Sequence, residues 1–539
     1  MADAVYEMMK NMSKKNLSSD DVATLLVMTS ILLGGWFRIF PAFLAGFPVN
    51  DGGMFYTMIE DLQMNHYLLP FYTSYNNLNI PFAYPPLAFY VGAIISDVLH
   101  ISPVEIVRWL PGITSTFCVL AFFFTAKELM ESRLVAAAAT LIFALIPHMS
   151  DWNSMGGGLT RSFGMLFMIL TVLYAYRLFT KNIRYDPWRT ILFGSLTILS
   201  HPESIVYTVG ICTYIWFMKS RTLKAFLDGI LVSLAVLMAT APWYGLILYR
   251  HGFETLLSAM QTGGHSVWSP LIILNMDSIT AEPYLDLLGV LGVLGIITLV
   301  IRRQYFVPGM LAVIYLIGPR SAHTVGNISF ALAGGFFLME IVIPTLSDIG
   351  DDLDGKPSGI SRRTAVILAV FTVPYLLCNS TYNSSMISQN HVDEQGRTDM
   401  RWVAENTPRN SRFLVLTGNP DGMCDSLSEW FPALAQRTSL TTIQGREWLL
   451  GNEFDEFAEH RANIQDCIDE GLECLDGESG YFGEDYDYVY ISTAPPIGNC
   501  KFLNTPRKNV PALVIALEDD AHYPILYRSE NVVIFRKTG

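Results

Sequence analysis

Four short stretches of this chain carry side chains able to do chemistry, and each lies at the end of an apolar segment. The first is Pro48-Val49-Asn50-Asp51-Gly52-Gly53-Met54-Phe55-Tyr56, followed by Glu60-Asp61. A carboxylate placed where a chain leaves a membrane has two readings. Asn50 or Asp51 can cap a helix running from about Gly52 to Met64, or Asp51 can serve as a general base or metal ligand at the membrane surface. The second stretch, Ser150 to Ser162, contains Asp151, Asn153, three glycines and Thr160-Arg161. Asp151 and Asn153 offer oxygen ligands to a hard divalent cation such as Mg or Mn. The glycine run leading to Arg161 at a helix start can cradle a phosphate, or it can be a simple turn with Thr160 as a cap.

The third stretch is Ser200-His201-Pro202-Glu203, where two short apolar segments meet. It reads either as a polar cavity below the membrane surface or as a turn that needs its proline. In the fourth, Arg320 and His323 form an anion clamp within Pro319 to Thr324. A longer loop holding His251, Gln261, His265 and Trp268 has the length for substrate contact.

The elements that must position these groups follow from composition. The chain has 539 residues, 51% hydrophobic and 16% charged, with a mean hydropathy of +0.34. A soluble protein of this size carries about 25% charged residues, so the pattern is that of a polytopic membrane protein. Apolar segments at 22–46, 104–126, 134–149, 162–177, 190–200, 204–218, 225–246, 284–301, 305–318, 328–345 and 364–378 predict about eleven crossings. Residues 82–100, after Tyr84-Pro85-Pro86, read as a helix of a long first external loop, 47–103. Alternate loops divide lysine and arginine 17 against 4, the four being Arg108, Arg161, Arg250 and Arg320. This asymmetry predicts a cytoplasmic N-terminus, residues 1–21, a membrane domain at 22–378 and an extracytoplasmic C-terminal domain at 379–539. No cleavable signal peptide is expected.

Residues 379–539 read as a globular α/β domain. Strands are expected at 412–418, 488–491 and 513–516, a hairpin at 524–535, and helices near 398–406, 427–436 and 452–470. This segment holds 25 Asp and Glu against 13 Lys and Arg, most of the net charge of −14, which excludes nucleic acid as a partner class. Four of the seven cysteines, Cys424, Cys467, Cys474 and Cys500, allow two disulfides in any of three pairings. Asn379 and Asn383 begin glycosylation sequons.

With these residues in view, the chain resembles the GT-C membrane glycosyltransferases, a superfamily that includes protein O-mannosyltransferases, aminoarabinose transferases and oligosaccharyltransferase catalytic subunits. Asn50-Asp51-Gly52-Gly53 stands where that family has its catalytic acidic motif, Tyr84-Pro85-Pro86-Leu87 is similar to its Pro-Pro stretch, and Arg108-Trp109-Leu110-Pro111 is similar to the start of its second crossing. Asp151-Trp152-Asn153 falls at the paired-Asp metal motif of oligosaccharyltransferases, with Asn in the second position. Their tryptophan-rich acceptor motif is missing, and Glu429-Trp430-Phe431-Pro432 does not replace it.

The resemblance implies an inverting sugar transfer on the outer face of a prokaryotic cytoplasmic membrane. The donor would be a polyprenyl-phosphate sugar, and the acceptor a lipid, glycan or protein. Asp51 would be the base. Arg161, Arg320 and His323 would meet the donor phosphate, while Asp151, Asn153, His201 and Glu203 would hold an optional divalent metal or line a polar site. Glu60, Tyr84 and His265 would line the donor and acceptor loops. Two other classes compete: a transporter or flippase for lipid-linked sugars, which needs polar groups deep in the bundle, and a non-catalytic envelope scaffold with an outer binding domain.

Overall fold

The structure, a computed structural model, describes residues 18–146, 150–181, 185–261, 286–318, 321–346, 362–483, 485–494 and 511–538. Arg320, His265 and Cys500 lie outside the described residues. The chain is mostly helical. Helix α1 (Ser19–Ala45) starts at a reciprocal cap, in which the Ser18 hydroxyl accepts from the Asp21 amide and the Asp21 carboxylate accepts from the Ser18 amide. It ends at Gly46 in the left-handed region. The long first loop then folds as α2 (Gly53–Met64) and α3 (Leu87–Leu99).

The bundle continues with α4 (Pro103–Met130), α5 (Arg133–Leu145), α6 (Gly158–Thr180), α7 (Asp186–Ile198), α8 (Pro202–Lys219), α9 (Leu223–His251) and α10 (Glu254–Gln261). After these come α11 (Leu287–Ile301), α12 (Phe306–Ile317), α13 (Ala322–Phe337) and α14 (Arg362–Ser388).

Among the described residues, five helices are long and apolar enough to cross a membrane: α1, α4, α6, α9 and the continuous run Ala322–Leu346. The α11–α12 pair, bent by 116°, makes a sixth if it counts as one span. Among the described residues, length and apolarity alone pick out fewer spans than the eleven expected. The segments at 134–149 and 190–200 form 13-residue helices, about 20 Å long at 1.5 Å per residue, too short for a hydrocarbon core of about 30 Å. Segments 284–301 and 305–318 are the two arms of the bend. Chain reversal there is local: the amides of Arg303 and Gln304 return to the carbonyls of Val300 and Leu299, ending α11 at its cationic pair.

Packing in the bundle relies on small residues. Phe122 of α4 stacks on Phe143 of α5 with centroids 4.3 Å apart. A Cβ on Gly335 of α13 would lie 2.7 Å from the Cα of Ala139 in α5, so these helices meet backbone to backbone. Pro41 inside α1 cannot donate to Phe37, and that carbonyl accepts from the Ser384 hydroxyl of α14 instead. Buried Arg38 donates to the carbonyls of Gly34, Phe143 and Ala144 and to the Ser115 hydroxyl, which ties α1 to the end of α5.

Helix α14 runs past position 378, and α15 (Glu394–Asn406) leads into the α/β part. Its elements are β1 (Arg412–Leu416), α16 (Ser426–Ala435), β2 (Thr438–Ser439), α17 (Phe454–Glu470), α18 (Leu472–Phe482), β3 (Tyr488–Ser492), α19 (Ala512–Glu518), β4 (Ile525–Arg528) and β5 (Val532–Arg536). The sheet order is β2-β1-β3-β5-β4, parallel on the β2-β1-β3 side and antiparallel through β5 and β4.

Alternation along the central strands builds two cores. Phe413, Val415, Tyr488, Tyr490, Val532 and Ile534 pack into one cluster with α2 and α3 of the first loop. Leu414, Leu416, Val489, Ile491, Val533 and Phe535 face α17. The strand expected at 513–516 is instead α19. Leu513, Val514 and Leu517 are buried while Ile515 is 53% exposed, a helical spacing that a four-residue apolar run does not reveal. Cys467 pairs with Cys474, and Cys424 is also disulfide-bonded.

Replacing Gly335 with Ala should lower thermal stability in detergent by the equivalent of about 1–3 kcal/mol through overpacking. Gly477, exposed in α18 with open space around it, is the control. Ala there should leave stability unchanged or raise it by about 0.5–1 kcal/mol.

Candidate active site

The loop before α2 has a backbone that only certain residues adopt. Asn50 sits at φ +58° and Gly52 at φ +123°, both in the region asparagine and glycine tolerate. Gly53 adds a contact constraint, because a Cβ there would come within 2.8 Å of the Glu429 carbonyl oxygen. Partners from distant parts of the chain hold this loop. The Asn50 amide donates to the Asn390 carbonyl at 2.6 Å, and the Asn390 side chain donates to Asn50 Oδ1 at 2.7 Å. Asn50 Nδ2 donates to the Met423 carbonyl, and Trp430 Nε1 donates to the Asn50 carbonyl at 3.1 Å.

Asp51 does not cap α2. Gly52 is the N-cap and no side chain of the loop takes that role. The Asp51 residue is 8% exposed. Its Oδ1 accepts from the Gly157 amide at 2.7 Å, and its Oδ2 lies 3.3 Å from Arg161 Nη1. The glycine run makes this approach sterically feasible. A Cβ at 156 would collide with the Asp51 carbonyl and one at 157 with the Asp51 carboxylate, while the Gly156 amide donates to the Val49 carbonyl at 2.9 Å. Thr160 is no cap either: α6 begins at Gly158, its N-cap Gly157 offers no side-chain cap, and Thr160 is buried inside the helix.

Arg161, on the first turn of α6, lies over the Trp152 ring at 5.1 Å. Tyr84 closes another side of the site. Its ring is 6.3 Å from His201, 5.1 Å from Phe55 and 5.8 Å from Trp448. Burial pushes its hydroxyl up to about 12, with the nearby Arg161 guanidinium pulling the other way and Glu203 adding to the rise. Gly164 brings α8 close, since a Cβ there would sit 2.7 Å from His201 Cβ. Glu203, on the first turn of α8, accepts from the Ser321 hydroxyl at 2.7 Å. That bond joins α8 to the start of α13, where His323 is half-buried.

Other expected residues point elsewhere. Glu60 accepts from the Tyr56 hydroxyl at 2.6 Å, and burial raises its carboxyl. Neighbouring Asp61 holds the turn at Thr73 and Ser74. Asp151 accepts from the Asn383 side chain at 3.3 Å and lines a separate cleft with Arg38 and Ser384. Asn383, of the second sequon, is buried beside that cleft.

The residues expected to hold an optional metal are dispersed among the described residues. Among the described residues no three His, Cys, Asp or Glu side chains converge as a metal site. Asp151 is committed to Asn383, Asn153 is buried in a short 3-10 turn, and the guanidinium beside Asp51 opposes a second cation there.

Sequence reasoning missed Glu429. It is 6% exposed on α16, and its Oε1 lies 3.3 Å from the Gly52 amide and 3.4 Å from the Met54 amide. Glu429 therefore occupies the cap position that Asp51 leaves empty. Burial first, and the neighbouring Asp51 second, raise its carboxyl from 4.5 to about 8. The one signal in the sequence was an acid followed directly by Trp430-Phe431-Pro432 within an apolar helical stretch.

A carboxyl raised in the folded state binds its proton more tightly there than in the unfolded chain. Stability from this group is therefore present at low pH and lost as pH rises from about 4.5 to about 8, levelling off beyond. Glu429→Gln should flatten the fall in thermal stability across that window, read as melting temperature in detergent at several pH values. Parallel curves for variant and wild type would count against the buried acid.

No protein-family model matches the chain. An uncharacterized protein of Aquifex aeolicus (strain VF5) is 24% identical over 209 residues, 38% of this chain and 45% of that relative, so the match spans less than half of it. The Archaeoglobus fulgidus oligosaccharyltransferase AglB, solved with an inhibitory peptide and a dolichol-phosphate, superposes with a TM-score of 0.52 at 12% identity, over 87% of this chain and 69% of its own. That oligosaccharyltransferase has also been solved with zinc and sulfate. ArnT from Cupriavidus metallidurans bound to undecaprenyl phosphate gives 0.53 at 11% identity, over 95% of this chain and 97% of its own. Across nearly its whole length, then, the chain shares the fold of the GT-C membrane glycosyltransferases that its sequence resembles.

Proposed function

We propose that this protein is a membrane glycosyltransferase that moves a sugar from a polyprenyl-phosphate donor to an acceptor hydroxyl on a lipid, glycan or protein. The work would be done on the outer face of a prokaryotic cytoplasmic membrane, with the α/β part outside. The observation that carries the reading is Asp51. It is a buried carboxylate, released from helix capping and held between the Gly157 amide and Arg161. The lipid phosphates bound to AglB and ArnT support the choice of donor class.

In this reading Asp51 takes the proton of the acceptor hydroxyl as its oxygen bonds to the anomeric carbon. The bond from that carbon to the phosphate oxygen breaks on the opposite face, so the configuration inverts and the lipid phosphate leaves with the electron pair. A carboxylate has about four lone-pair sites, and two partners leave room for the acceptor. Arg161 stands on the first turn of α6, where a helix N-terminus favours an anion. It would swing to the departing phosphate, helped by Arg320 and His323, each aimed charge worth about 3 kcal/mol in the transition state. Tyr84, Trp448 and His201 would form the wall against which the sugar lies. Glu203 would hold the start of α13 in place.

Asp51→Asn should keep the fold and the yield, with a somewhat lower melting temperature from the unpaired Arg161, yet lower transfer from polyprenyl-phosphate sugars by about a thousandfold. Survival of activity in that variant would end the assignment. Arg161→Lys should cost about a hundredfold, because the point charge loses the fork geometry while keeping the sign. Adding undecaprenyl or dolichyl phosphate should raise the melting temperature of the wild type, and a transporter reading would gain if lipid binding persisted while no transfer to any acceptor hydroxyl could be measured.

A further inference from the structure

We infer that Glu429 is a positioning residue for Asp51. The C-terminal α/β part reaches into the membrane-face site and caps, with this carboxyl, the helix that begins directly after the acid. Separate contacts from two adjacent residues of α16 hold the chain on either side of Asp51. The Gly52 and Met54 amides, two of the free donors that any helix start must satisfy, both point at Glu429 Oε1. The Glu429 carbonyl accepts from the Tyr75 hydroxyl at 2.6 Å, anchoring α16 to the same first loop. The next residue, Trp430, donates to the Asn50 carbonyl and packs against Phe47 at 4.6 Å. The Asp51 backbone is thus bracketed at 50 and 52 by adjacent residues of one helix, nearly four hundred positions downstream.

Gly53 reports the same intimacy. Any side chain there would strike the Glu429 and Trp430 backbone, so the close approach of α16 is built into the motif that carries the acid. The shared apolar cluster of first-loop helices and sheet face keeps the two parts in register. What the sheet region contributes to the site is therefore a hydrogen-bond acceptor that sets the direction of residues 51–54. In Glu429's neighbourhood the Asp51 and Glu447 carboxylates are the acidic groups acting on it, and a neutral carboxyl there keeps the acceptor without adding a third negative charge.

The kinetic part of the test rests on the transferase reading, whereas its hydrogen-exchange part does not. Glu429→Ala should raise amide exchange in a peptide spanning residues 50–56 by about tenfold, the loss of a helix cap, with exchange in β1 and β3 unchanged. Glu429→Gln, which keeps a carbonyl acceptor, should restore protection. In transfer assays Ala should lower kcat by about tenfold or more with KM for the donor little changed, and Gln should recover most of it. Unchanged exchange at 50–56 in the Ala variant would overturn the inference, and so would a Gln variant that matches Ala in exchange. A wild type with no transfer but a cap-dependent exchange pattern would sink the enzyme reading and leave the positioning role standing.

Discussion

The placement of one carboxylate rests on a contact that backbone alone can make. Asp51 lies against Gly156 and Gly157 so closely that a single added methyl on either would displace it. The gain is two backbone amides, from 156 and 157, delivered to the Val49 carbonyl and to the acid. A charged, nearly buried oxygen is costly without such partners, and side chains reaching in from the bundle would crowd the acid. Glycine supplies the donors and leaves the room.

The ion pair with Arg161 follows from this burial. Removing one partner from a buried pair leaves an uncompensated charge, so acid and guanidinium depend on each other at rest. The pair is not fully enclosed, however, and Arg161 also has the Trp152 face to rest against. In one position the guanidinium thus meets both the acid and an aromatic face.

Around this pair the molecule is knit together by long-range contacts. Gly164 lets α8 come against α6, the Glu203–Ser321 bond fastens α13 to α8, and the sheet face shares its apolar core with the first loop. Helix and sheet parts are thus structurally interdependent at the site, even though their sequences differ so sharply in composition and charge. The cleft beside Arg38 and Asp151 belongs to the α1–α14 contact and is separate from the acid.

The membrane character, the α/β character of the C-terminal part and the special nature of Asn50-Asp51-Gly52-Gly53 were all legible in the residues. Composition, apolar run length and positive-φ residues are local properties that a chain carries wherever it folds. The match of Arg161 to Asp51 was half legible, because a cation spared from a cation-poor loop needs a reason to be there. The path of the bundle was not: apolar runs mark what avoids water, while the number of true spans depends on bends such as that between α11 and α12, which tertiary packing fixes. Residues 513–516 became a helix because the available surface wanted Leu513, Val514 and Leu517 on one side. Asp151 and Asn153 had the spacing of ligands, but Asn383 claimed the aspartate. Glu429 stood out only as an acid beside Trp430-Phe431-Pro432, and its role was hidden because hydrogen bonds to residues 377 and 375 positions away leave no trace in local spacing, so the chain's order set which residues were available and only its folding decided which of them met.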